Sequence, residues 1–365
     1  MRTLAIISLL LSMAALTWFY AGSFAVLMMA PPHPSLLLGY IGGKEEDITS
    51  KDHNFLPGET VEKQWVAVNN SGSTIGFSCS DRSRETWIHI GGYGGSLDPY
   101  CTKEGTFQIE LPDYLKPGPV DIVGEFQLDH VTIIDTFTIH VMPRPEPIPA
   151  MNIVLFDPKG DTAKMLDNLG VKYRLLTEPQ SLNCAESLRN LTITAPLIVG
   201  KNALDVTGEG IDFSDVPDGL RVIVFEQTAT VLEKRLGFRT RQCGVREVFT
   251  RVADHPLLEN IEDENLRDWR GGDVASVLIE KPADGDFLPI LDGGTNLQYS
   301  PLLEYRHGKR MILFCQMDVT ARNIAGTSVF DPAATHLVGN ILRSINDVPA
   351  TPSSALDDQL PTNNL

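Results

Sequence analysis

The sequence predicts an all-β sandwich of Ig-like type followed by a doubly wound, flavodoxin-like α/β domain. Residues 47–143 carry short apolar stretches with a period of two, separated by turn residues, whereas residues 151–346 alternate short apolar runs with helical spacings. A boundary separates the two patterns. Residues 144–150 form a Pro-rich linker within Met142-Pro143-Arg144-Pro145-Glu146-Pro147-Ile148-Pro149, stiffened toward polyproline II and unable to enter either neighbouring sheet.

Residues 1–30 read as a signal peptide or a membrane anchor. Residues 3–43 contain no Asp, Glu, Lys or Arg, and Leu4 to Ala30 is almost wholly apolar behind Arg2. Ser23-Phe24-Ala25 offers a small-x-small cleavage site, while the length of the run suits an uncleaved transmembrane helix. Either way, the remainder is expected outside the cytoplasm, secreted, periplasmic or anchored, touching a membrane only through residues 4–30. Residues 31–46 form a connector opened by Pro31, Pro32 and Pro34.

In the expected sandwich, the strand candidates are Val61, Trp65 to Val68, Ile75 to Phe77, Trp87 to Ile90, Phe107 to Leu111, Val120 to Phe126 and Val131 to Val141. Asn69 to Ser73, Gly91 to Gly95 and Lys116 to Pro119 supply turns. Beyond the linker, Asn152 to Phe156 reads as a buried strand, Asp161 to Leu169 as a helix ended by Gly170, and Val171 to Leu176 as the next strand, which is a βαβ unit. Pro196 to Val199, Leu220 to Phe225, Val274 to Ile279, Phe287 to Leu291 and Met311 to Phe314 add further strands. A helix is expected after Thr228, with Ala229, Leu232 and Leu236 on one face and Gly237 past its end. The last helix is the best specified: Asp331 as N-cap, Pro332 at the first position, then Ala334, Leu337, Val338, Ile341, Leu342 and Ile345 at 3.6 spacing. Residues 347–365 are rich in Pro, Ser, Asp and Asn and read as a disordered tail.

Composition excludes several functions. A net charge of -17 argues against nucleic acid, or an anionic membrane surface, as partner. Five cysteines without CxxC or Cys/His spacing give no metal site; Cys79 and Cys101 could pair after export, Cys184 and Cys243 are scattered, and Cys315 reads as a buried thiol. Asp157-Pro158-Lys159-Gly160-Asp161 puts carboxylates where a phosphate would sit, and neither a nucleotide-binding glycine motif nor GxSxG is present, so no cofactor is expected. Asn69-Asn70-Ser71 and Asn190-Leu191-Thr192 match glycosylation acceptors.

In an open parallel sheet, ligands bind beyond the strands' C-terminal ends, which points to Asp157, Lys201, Glu226, Gln227 and Asp318. Glu226, Asp318 and His255 are the catalytic candidates, since paired carboxylates and a histidine can serve as acid and base, but none is assigned that role outright. Asp157, Gln227, Trp269 and Arg270 are the candidate ligand-binding residues. Asp157 equally reads as a helix cap, His255-Pro256 as a helix entry, and Trp269 either as a sugar-stacking platform or as core.

Residues around Val224-Phe225-Glu226-Gln227-Thr228, Asp254-His255-Pro256-Leu257-Leu258 and Leu313 to Thr320 resemble the class I glutamine-amidotransferase-like superfamily. That resemblance implies a nucleophilic cysteine at the turn where Glu226-Gln227 stands here, so amidotransfer is not expected. Asp52 to Glu59, Val224 to Gly237, Asn265 to Gly271 and Val274 to Pro282 look like the C-terminal region of exported bacterial β-galactosidase-like glycoside hydrolases, over nearly all of residues 47–346. In such proteins these domains follow a catalytic (β/α)8 barrel, and the relatives carry a longer insertion at Gly271-Gly272. The resemblance implies a non-catalytic accessory module that binds carbohydrate or mediates assembly, its partner a sugar or a separate glycosidase polypeptide, with a homo-oligomer also open. The alternative is a glycosidase-type hydrolase acting through the crevice carboxylates.

Overall fold

In the computed structural model the first region folds as a β-sandwich-like pair of sheets. Its strands are β1 (Leu37–Ile41), β2 (Asn54–Phe55), β3 (Thr60–Asn69), β4 (Ile75–Ser83), β5 (His89–Leu97), β6 (Cys101–Glu110), β7 (Gly118–Leu128) and β8 (Val131–Val141). One sheet has the order β1-β3-β6 and the other β2-β8-β7-β4-β5. The structure describes residues 36–43, 53–83, 89–176, 195–207, 213, 216–283, 285–323, 327 and 329–346. The leader at 1–30, much of the connector, Trp87, Ile88, Cys184, Asn190 and the tail at 347–365 lie outside the described residues.

The period of two explains the packing. Val61, Trp65 and Ala67 of β3 turn inward against Val120, Ile122, Phe126 and Leu128 of β7, each side chain contributing about 1.5–3 kcal/mol when fully buried. Trp65 is the centre of an aromatic group, with ring centroids 5.4 Å from Tyr93, 5.8 Å from Phe77 and 6.4 Å from Phe107. Gly105 opposite must lack a side chain, because a Cβ there would stand 2.6 Å from the indole. The pairing that the sequence left open for Cys79 and Cys101 is not made: Cys79 is buried in β4, while Cys101 opens β6 in the other sheet as an exposed free thiol.

One turn of the sandwich departs from ordinary preference. Cys101 N–H donates to Asp98 O at 3.3 Å, Pro99 fills the second turn position, and Tyr100 holds the third with φ of +57°. That is a type II arrangement, whose third position glycine usually fills; a side chain there costs about 1–2 kcal/mol.

The second region contains β9 (Val154–Phe156), α1 (Asp161–Asn168), β10 (Arg174–Leu175), β11 (Leu197–Val199), β12 (Arg221–Val224), α2 (Ala229–Lys234), β13 (Thr240–Val245), β14 (Phe249–Thr250), β15 (Ala275–Glu280), β16 (Phe287–Pro289), β17 (Leu291–Asp292), β18 (Tyr299–Ser300), β19 (Leu302–His307), β20 (Arg310–Cys315) and α3 (Pro332–Asn346). The largest sheet runs β10-β9-β11-β12-β20-β19-β16. Its pairings are parallel from β10 to β20 and antiparallel from β20 to β16. Alternate residues of β9, β11, β12 and β20 enter two separate cores, so these short strands are apolar beyond the arginines that open β12 and β20.

The doubly wound, flavodoxin-like α/β domain expected for residues 151–346 is not found. Strands in several sheets dominate, and among the described residues only three α-helices occur, of 8, 6 and 15 residues. Between α2 and β20, where further helices would have to stand, the chain instead forms β13 to β19 and single turns at Pro256–Leu258, Asp263–Asn265, Trp269–Gly271 and Thr295–Leu297. Part of the cause is local: Gly271, Gly272, Pro282, Gly285, Pro289, Gly293, Gly294 and Pro301 punctuate the second half of this stretch, leaving no uninterrupted run of a typical helix's length there. The expected strand at 274–279 forms, but as β15 of a separate three-stranded sheet with β13 and β18.

The last helix behaves as its sequence predicts: Asp331 Oδ1 accepts the Ala333 N–H at 3.0 Å, and Ala334, Leu337, Val338, Ile341, Leu342 and Ile345 are buried. Asp331 also helps to hold the two regions together. Asn54 and Asn265 exchange side-chain contacts, with Asn54 Nδ2 donating to Asn265 O and to Asp331 Oδ1, and Asn265 Nδ2 donating to Asn54 Oδ1. Beside them the Arg270 guanidinium lies 4.6 Å from the Phe55 ring and 3.5 Å from Glu59.

Candidate functional site

Because β9, β11, β12 and β20 run parallel, their C-terminal ends open at one edge of the large sheet. A crevice of about 260 Å³ forms there. Lys201, Glu226, Gln227, Gln316 and Asp318 line it from the strand ends, Thr228 and Thr230 from the start of α2, and Gln242 and Ser276 from β13 and β15.

The charged groups in the crevice hold one another. Lys201 Nζ stands 3.2 Å from Asp318 Oδ1 and 3.6 Å from Glu226 Oε1, and Arg322 Nε lies 3.5 Å from Asp318 Oδ2. Glu226 accepts the Thr320 N–H at 3.0 Å on Oε1 and the Thr320 hydroxyl at 2.6 Å on Oε2. Burial pushes the Glu226 carboxyl above the ordinary carboxylate range, opposed by the Lys201 charge and the Thr320 bonds. Burial draws the Lys201 ammonium down, but Glu226 and Asp318 outweigh it and the net shift is upward. Both partners shift upward because two carboxylates act on the one cation, while at Glu226 burial outweighs that cation.

Of the residues singled out from sequence, Glu226, Asp318, Lys201 and Gln227 come together. Gln227, however, spends its amide on the backbone: Oε1 accepts from Leu204 N, and Nε2 donates to Gly200 O and Phe225 O. It fixes the turn rather than offering a hand to a ligand. Asp157 lies behind the crevice, where Oδ2 caps α1 by accepting the Ala163 N–H at 2.8 Å. Gly200 must be glycine there, since a Cβ would sit 2.6 Å from Asp157 Oδ1.

His255, Trp269 and Arg270 do not line the crevice. His255 Nδ1 accepts the Leu257 N–H at 3.3 Å and starts a single turn that packs on α3 through Asn340, whose Nδ2 donates to Leu257 O and Glu259 O. Burial lowers the His255 pKa. Trp269 is wholly buried, with Nε1 donating to Asn265 O at 2.8 Å, so its faces are taken by core atoms and it cannot stack on a sugar. Arg270 is engaged at the junction with Phe55 and Glu59.

Sequence reasoning missed Thr320, Arg322 and Gln316. Gln316 Oε1 accepts the Gln227 N–H at 3.1 Å, tying the β20 end to the β12 turn. Its signal was present, for Gln316 and Thr320 flank Asp318 in the segment already noted after β20. Cys315, fully buried, has its thiol pKa pushed up by burial and is no nucleophile. Among the described residues no group of three or more His, Cys, Asp or Glu is placed to hold a metal ion.

No family model matches the sequence, and no curated protein matches it. The chain is similar to the CARDB domain of a Pyrococcus furiosus protein solved in complex with di-metal ions, at 16% identity and a TM-score of 0.23, covering 30% of this chain and 98% of that one. It is also similar to a family 123 glycoside hydrolase from Clostridium perfringens, at 12% identity and a TM-score of 0.25, covering 44% of this chain and 38% of the hydrolase. Escherichia coli alpha-2-macroglobulin matches at 8% identity and a TM-score of 0.24, over 30% of this chain and 10% of the macroglobulin. Likenesses at these scores carry no argument about activity or partners.

Proposed function

We propose that this chain is a non-catalytic, exported accessory module, related to the C-terminal region of β-galactosidase-like glycoside hydrolases, that binds carbohydrate. The observation that supports it most is the closure of the crevice charges: Glu226 is engaged by Thr320 and Lys201, and Asp318 by Lys201 and Arg322. Glycoside hydrolysis needs one carboxyl to protonate a leaving group and a second to attack or activate water. Both oxygens of each carboxyl here already face protein donors. The remaining lining is neutral and hydrogen-bonding, with the hydroxyls of Thr228, Thr230 and Ser276 beside the amide of Gln242, which suits a hydroxyl-rich ligand.

One observation favours the alternative, a glycosidase-type hydrolase. Glu226, raised by burial, and Asp318 lie either side of one ammonium, and unequal carboxyls in one crevice can divide acid and base roles. The two readings separate in an aryl-glycoside assay. The module reading expects sugar binding without turnover by wild type, whereas turnover that disappears in Glu226→Gln establishes the hydrolase.

The proposal extends to place and partner. Residues 4–30 deliver the chain beyond the cytoplasm, as a cleaved signal or as an anchor, and a glycosidase polypeptide is a candidate partner. Fractionation with an antibody to the folded region tests the first point: recovery in the cytoplasm contradicts it.

A further inference from the structure

At one end of the sandwich, two turns are knitted together by a single side chain. Asn69 is fully buried; its Nδ2 donates to Ser73 O at 2.9 Å and to Leu97 O and Asp98 O at 3.0 Å each. Its Oδ1 accepts both the Ser71 N–H at 2.9 Å and the Ser71 hydroxyl at 2.6 Å. Asn69-Asn70-Ser71 is therefore a structural clamp rather than a glycosylation acceptor. Thr74 Oγ1 donates to Asp98 Oδ1 at 3.2 Å, adding a second tie between the turns.

The clamp holds Tyr100 in a conformation its side chain disfavours. Its φ of +57° lies at the turn position where glycine is usual, yet the side chain is 76% exposed, so burial does not offset the strain. The hydroxyl lies 3.6 Å from where a Cβ on Gly72 would stand, which places the ring across the Asn70 to Thr74 turn.

We infer that Tyr100 is a stacking platform for a neutral sugar ring, at a site on the sandwich separate from the crevice. The inference rests on the carbohydrate reading above and locates a binding site for it. An exposed, pre-positioned aromatic face meets the apolar face of a pyranose, while the carboxylate of Asp98, which opens the same turn and is tied to Thr74, answers ring hydroxyls. Asp98 and the net charge of -17 select against acidic sugars.

The test uses the full chain and a panel of immobilised neutral oligosaccharides built from galactose, glucose, mannose or xylose. Tyr100→Gly relieves the strained φ, so it is expected to raise Tm while weakening binding at least tenfold; Tyr100→Phe keeps binding within about threefold. A platform and a structural residue thus move Tm in opposite directions. Wild-type binding that Tyr100→Gly leaves unchanged, or a Tm lowered by that substitution, overturns the platform and leaves the carbohydrate reading standing. Wild type that binds no member of the panel overturns both.

Discussion

Lys201 Nζ stands 3.2 Å from Asp318 Oδ1, on loops that follow two different strands of one sheet. Removing that ammonium leaves Glu226 and Asp318 facing each other without their shared cation. Lys201→Met is expected to lower stability by about 3 kcal/mol, read as a shift in the urea midpoint. A loss below about 0.5 kcal/mol would mean that the cluster is not the structural device described.

The pH dependence of Glu226 follows from burial. Its folded pKa is raised above the ordinary 4.5, so the folded chain holds this proton where the unfolded chain has released it. The associated stability is fully present below 4.5 and is lost as pH rises through the folded value. Glu226→Gln abolishes that slope, and the difference between variant and wild type should move in the variant's favour above pH 4.5. Denaturation curves at a series of pH values check the sign.

The histidines act in the opposite direction. Burial lowers the pKa of His336, whose Nε2 donates to Pro143 O at 2.8 Å across the linker. Burial likewise lowers His140 and His255. As pH falls below the ordinary 6.5 the unfolded chain takes protons first, and stability is lost through that window. His336→Asn should lose less stability than wild type between pH 7 and pH 5, measured by thermal melts.

Trp269 separates packing from recognition. Trp269→Ala is expected to cost about 3–5 kcal/mol, because it empties a fully buried site and leaves Asn265 O without its indole donor. Trp269→Phe is expected to cost less and to leave sugar binding unchanged. Lost binding in a folded Trp269→Phe would return this residue to the list of ligand contacts.

Legibility in the sequence followed the length scale of each signal. Most sandwich strands, α1, α3 and the strands around Glu226 were readable because period-two alternation, 3.6 spacing and short apolar runs are local patterns; β1 was not, lying in the stretch read as connector, nor was β5, whose Gly91 to Gly95 read as a turn. The helical layer was not legible: glycine and proline from Gly271 to Pro301 break that part of the chain into strands and turns, and the run from Leu257 to Arg270 forms only single turns although no glycine or proline interrupts it. Glu226 and Asp318 could be brought together from the rule about strand ends. Their neutralisation by Lys201, Thr320 and Arg322 depended on side-chain directions, which no spacing reveals. Trp269 looked like a platform in sequence; only burial places it in the core.

The most direct measurement is a parallel glycan-array and aryl-glycoside screen of the purified full chain, with Glu226→Gln beside it. The account predicts binding of at least one neutral sugar and no turnover by either protein. Turnover by wild type that vanishes in Glu226→Gln would contradict it and make the crevice an active site.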